Sequence, residues 1–100
     1  MSLASLFAEA KRAAERTHDD RLLELSGGAR LGIRVEGPIV TLTIARPKKK
    51  LGATELETFK AACGIPAVAF RYPAEGQLTR DVEGVTHYFV AYRWVEGEET

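Results

Sequence analysis

The chain has 100 residues, 14 basic and 14 acidic side chains, and a net charge of zero. That length holds one hydrophobic core, and 45% apolar with 28% charged residues is globular usage, which argues against a second domain and against disorder. A zero balance lacks the basic excess of a typical nucleic-acid or membrane-surface protein, and it leaves self-association unopposed by net repulsion.

The single cysteine cannot form an internal disulfide, and two histidines with one cysteine are too few for a structural zinc site. No run approaches the roughly 18 uncharged apolar residues of a membrane-spanning helix. The amino terminus has no basic stretch ahead of an apolar one, so it does not read as a secretory signal, and a cytoplasmic location is expected. The chain lacks asparagine and has a single glutamine, Gln77, a composition compatible with a thermophilic source.

Residues 2–17 read as an amphipathic helix. Leu3, Leu6, Phe7, Ala10 and Ala14 make one stripe of a 3.6-residue period, with Glu9, Arg12 and Arg16 opposite. Lys11 and Glu15 have the spacing of an i,i+4 ion pair. His18, Asp19 and Asp20 supply turn chemistry where the helix should stop.

Residues 21–36 read as two strands joined at Gly27-Gly28, a pair suited to the positive φ angles of a two-residue hairpin. Leu31, Ile33 and Val35 alternate with Arg30, Gly32, Arg34 and Glu36, the pattern of a sheet with one face in the core and one in water. After Gly37-Pro38, Val40, Leu42 and Ile44 alternate with Thr41 and Thr43 as a third antiparallel strand.

A second helix is expected after the basic loop. Thr54 and Glu57 have capping-box spacing, and Leu56, Phe59 and Cys63 form a buried stripe. Gly64, Ile65 and Pro66 have the order of a left-handed stop, an apolar contact and a block to continuation. Up to this point the element order is similar to that of double-stranded-RNA-binding domains. The likeness is one of order only, because the second helix carries no lysine pair and further strands follow.

Val68, Phe70 and Tyr72 alternate as a fourth strand ending at Pro73. Residues 78–95 form a long strand region that Glu83-Gly84 should break into a hairpin or a bulge. The expected fold is one α+β domain over residues 1–100. It has an antiparallel sheet of five to six strands and two helices in the order α-β-β-β-α-β-β(-β). The last strand is apolar on both sides: Tyr88, Val90, Tyr92 and Trp94 face one way, and Val85, Phe89 and Ala91, with His87 and Arg93, face the other. A strand with one wet face should not look like this, so either helices cover both sides or another chain covers one.

Few residues carry chemistry. Cys63 lies at a helix C-terminus on a buried stripe, where the dipole opposes a thiolate, so it reads as core. His18 and His87 are far apart in sequence and lack partners at metal-ligand spacing. The glycines match turns rather than a phosphate loop. The basic loop is the exception: Arg46, Lys48, Lys49 and Lys50 fall within five residues that contain no acid, just ahead of a helix N-terminus. They are the candidate anion-binding or nucleic-acid-binding residues. Tyr88, Tyr92 and Trp94 could stack bases but read better as core or as the candidate interface, since period-2 aromatics bury area in sheets and tyrosine and tryptophan are enriched where chains meet.

The sequence therefore reads as a small non-enzymatic interaction module that self-associates, as a dimer, through its C-terminal strand. The alternative is a nucleic-acid accessory protein binding phosphates through residues 46–50. No catalytic residue, metal, cofactor, small-molecule substrate or membrane partner is expected.

Overall fold

Residues 2–25 and 28–97 are described by the structure, a computed structural model. The elements are α1 (Leu3–Thr17), β1 (Arg21–Glu24), β2 (Arg30–Glu36), β3 (Ile39–Pro47), α2 (Ala53–Ala62), β4 (Phe70–Tyr72), β5 (Leu78–Val82) and β6 (Val85–Val95). This is the expected α+β order, with three strands after α2. All pairings are antiparallel, in the order β1-β2-β3-β6-β4, with β5 also on β6. β6 is long enough, at 11 residues, to take β3 along one edge and both β4 and β5 along the other.

Local chemistry sets the boundaries. The Ser2 hydroxyl accepts from the Ser5 amide at 3.2 Å and caps α1. The helix ends where His18 turns left-handed (φ 60), its N–H donating to Ala14 at 2.9 Å. Lys11 bonds Glu96 beyond the end of β6 rather than Glu15, so that pair ties helix to sheet instead of turn to turn. At the β5–β6 turn Glu83 (φ 52) and Gly84 (φ 80) supply the two positive φ angles of a tight hairpin. The expected Gly27-Gly28 turn falls partly outside the described residues, at Gly27.

The cap of α2 differs from expectation. The helix begins at Ala53, and the carboxylate that reaches back is Glu55, whose Oε1 accepts from the Gly52 amide at 3.0 Å. Thr54 and Glu57 have the right spacing but lie inside the helix. The C-terminal stop is as read: Gly64 is left-handed (φ 61), its N–H donates to Ala61 at 3.3 Å, and the Ile65 N–H donates to Lys60 at 3.0 Å.

Both helices contribute to one core on one side of the sheet. α1 lies against β1, β2 and α2 and buries Phe7, Ala10 and Ala14, while α2 buries Leu56 and Phe59. Beneath them Leu31, Ile33, Val40, Leu42, Ile44 and Val90 are each less than 2% exposed. Burial at that level stabilises by about 1.5–3 kcal/mol per side chain. No helix among the described residues is long and apolar enough to cross a membrane.

Among the described residues, no helix lies on the opposite side of the sheet. This resolves the two-faced strand: one side meets the helices and the other is uncovered, and two of the three expected interface residues are buried on the covered side. Tyr92 and Trp94 are only 3% and 6% exposed, because they belong to the row of β6 residues that the helices cover. Tyr88 shares that side and is half-buried. Tyr92 and Trp94 are part of the core, and the partly exposed apolar residues on the other side of β6 are Val85, Phe89 and Ala91.

Candidate sheet-face binding site

Strand register places the open-face side chains in rows across the sheet. One row runs Arg34, Thr41, Arg93, Phe70. The next runs Leu22, Gly32, Thr43, Ala91, Tyr72. Then come Glu24, Arg30, Ala45, Phe89, Leu78, followed by Pro47, His87, Arg80. Small residues, Gly32, Thr41, Thr43, Ala45 and Ala91, hold many of the middle positions, between the larger Arg93, Phe89 and His87 of β6. The edge positions are large: Leu22 is 61% exposed, Phe70 66%, Tyr72 54%, and Val82, beyond the last row, 39%. The result is a trough with a low floor and apolar rims. Two shallow grooves of about 420 and 310 Å³ share Gly32 and Thr43 and so run into one another.

Charge divides this face in two. On the β1–β2 half, every arginine is matched. Arg34 holds Asp20 with two hydrogen bonds, of 2.8 and 2.9 Å, and lies 3.8 Å from Glu36, while Arg30 lies 3.9 Å from Glu24. The bond from Arg34 holds the Asp20 carboxyl below its ordinary range. On the half built by β6 with β4 and β5, the outward positions carry Arg93, Arg80 and His87 and no acid. Neither Arg93 nor Arg80 has an ion-pair partner among the described residues. The Arg80 guanidinium instead sits 5.4 Å from the centroid of the Phe89 ring.

The basic loop adjoins this second half. The Lys48 N–H donates to Thr86 at 2.7 Å, which fastens the loop beside His87. Lys48, Lys49 and Lys50 are exposed and without ion-pair partners among the described residues. Arg46 is different. It ends β3 with its side chain only 13% exposed, bound to the Glu55 carboxylate and to the carbonyls of Lys49 and Lys50. Arg46 holds the Glu55 carboxyl below its ordinary range, helped by the Gly52 amide. Glu55 thus occupies the position at the α2 N-terminus that an external anion would take. Of the four loop cations, three face solvent and Arg46 serves the loop itself.

Gln77 fixes the other end of this connection. Its amide accepts from the Leu51 N–H at 2.9 Å and donates to the Leu51 carbonyl at 2.6 Å, as a neighbouring strand would. The remaining candidates are spread apart. Cys63 is buried, and burial pushes its thiol up to about 12. His87 Nδ1 lies 3.0 Å from the Val85 carbonyl, while His18 is an exposed helix cap. No three histidine, cysteine or carboxylate side chains among the described residues are grouped to hold a metal.

Sequence reasoning read Tyr88, Tyr92 and Trp94 as core or interface, and it missed the trough. The signal for it was present in the complementary alternation: small Gly32, Thr43 and Ala91 across the centre, with Leu22 and Tyr72 outside. Only the pairing order aligns them in one row.

No protein-family model, no curated protein and no solved structure matches the chain.

Proposed function

We propose that the protein is a non-enzymatic binding module that works through the open face of its sheet. One observation carries this reading. Among the described residues, four of the five exposed large apolar side chains, Leu22, Phe70, Tyr72 and Val82, lie on that face. Exposed apolar groups concentrated in one patch mark interaction surfaces, whereas scattered ones need no explanation. Catalysis needs a nucleophile, a base and an orienting group within reach of one another. Here the thiol is buried and protonated, and the two histidines serve separate parts of the chain.

The test is a map of amide chemical shifts, followed through a protein-concentration series and through titration with a short oligonucleotide. Shifts should concentrate in β2, β3, β6 and β4. Shifts that concentrate in α1 and α2, or a spectrum unmoved in both series, overturn the reading.

Self-association through the same face is the second reading. It is favoured by the zero net charge, which puts no repulsion between copies, and by the apolar rims at Leu22 and Tyr72. Its residues are those of the open face, not Tyr88, Tyr92 and Trp94.

A further inference from the structure

Resting on the open face as the working surface, we infer that its β6 half binds single-stranded nucleic acid. Bases stack on Phe70 and Tyr72, and phosphates are held by Arg93 and Arg80, with Lys48 to Lys50 on the neighbouring loop.

The register supplies the geometry. Phe70, Tyr72, Phe89 and His87 occupy four successive rows, one ring to a row, stepping from β4 onto β6. Rows are two residues apart, so the track spans about 20 Å at a rise of about 3.4 Å per residue. Phe70 and Tyr72 are more than half exposed, which leaves their ring faces open to stack. Every base has a π-face, so such a track is tolerant of sequence.

Arg93 and Arg80 stand where the backbone of a strand on that track would run. Arg93 pairs with Phe70 at one end, Arg80 pairs with His87 at the other, and Lys48 follows where the loop is fastened to Thr86. These two arginines and three lysines have no ion-pair partner among the described residues. The zero net charge of the chain therefore hides a locally basic strip.

Three alternatives fit less well. A duplex needs an element that projects into a groove, and a shallow trough offers none. Sequence-specific reading of adenine uses asparagine or glutamine, but the chain has no asparagine and Gln77 is committed to Leu51. A second copy would have to meet this cationic half with acids, yet Asp20, Glu24 and Glu36 already lie against Arg34 and Arg30.

The experiment is fluorescence anisotropy of 5′-labelled 12-mers, oligouridylate and oligothymidylate, against the full chain at several salt concentrations. A duplex of the same length and the sedimentation of the protein alone complete the set. The single strand should bind more tightly than the duplex. The log–log salt slope should lie near −3 if about four phosphates are neutralised. Tyr72→Ala should weaken binding roughly tenfold or more while circular dichroism stays native, and Tyr72→Phe should restore it. Replacing Lys48, Lys49 and Lys50 together by alanine should flatten the slope by about 2.

Absence of binding at low salt, with self-association that maps to the open face, overturns the nucleic-acid assignment and leaves the binding-module reading standing. Absence of both overturns both. Binding that depends on the lysines but ignores Tyr72→Ala and Phe70→Ala overturns the stacking track.

Discussion

β6 has two sides, and they obey different rules. On one, Val90, Tyr92 and Trp94 are closed over by two helices and are at most 6% exposed. On the other, Phe89 and Ala91 are half-open and Arg93 is exposed. Both sides carry apolar groups, so composition does not distinguish them. Coverage does: apolar area on the first side stabilises the fold, and apolar area on the second is available to something else. Adjacent residues of one strand can therefore serve folding and recognition separately.

The largest contrast is expected between neighbours. Trp94→Ala should cost about 3–5 kcal/mol, because a buried ring is lost and a cavity remains. Arg93→Ala should stay within about 0.5 kcal/mol. Urea unfolding of the two variants, read by circular dichroism, checks the pair, and equal losses would erase the distinction between the sides.

A middling effect is expected at Gln77→Ala. The substitution leaves the Leu51 N–H and carbonyl without their partner beside a Leu51 side chain that is only 3% exposed. The loss should be about 1–3 kcal/mol in thermal or urea unfolding. Oligonucleotide affinity should change less than it does for Tyr72→Ala, since Gln77 holds the connection and does not face the track.

A smaller effect, distinguished by its pH dependence, is expected at Glu55→Gln. The folded-state pKa of Glu55 is depressed, first by Arg46 and then by the Gly52 amide. Its contribution is therefore fully present above the ordinary glutamate value of about 4.3 and is lost as pH falls through the lower folded value. The gap in melting temperature between wild type and Glu55→Gln should be constant near neutrality and close only in acid. A gap that does not narrow at all on acidification would mean that the pairing with Arg46 is not its source.

Much of the fold was legible because its signals are local. The stripe through Phe7, Ala10 and Ala14, the alternation through Leu31 and Ile33, and the stop at Gly64 each depend on neighbours in sequence. The α2 cap was misplaced by two residues because Thr54–Glu57 and Gly52–Glu55 share the same spacing, and side-chain reach at the loop decided between them. The site was less legible. Arg46 looked like one of four equivalent cations, but it lies at the end of a strand, within reach of Glu55 and the loop carbonyls. Tyr92 and Trp94 looked available because alternation separates two faces without saying which one the helices cover. That choice depends on long-range packing.

The most direct measurement is photocrosslinking of a 4-thiouridine-containing single strand to the full chain, with the attachment points read by mass spectrometry. Attachment at Phe70 or Tyr72 is the result this account predicts. Attachment confined to α1 or α2, or none above the level given by a Phe70→Ala, Tyr72→Ala double variant, would contradict it.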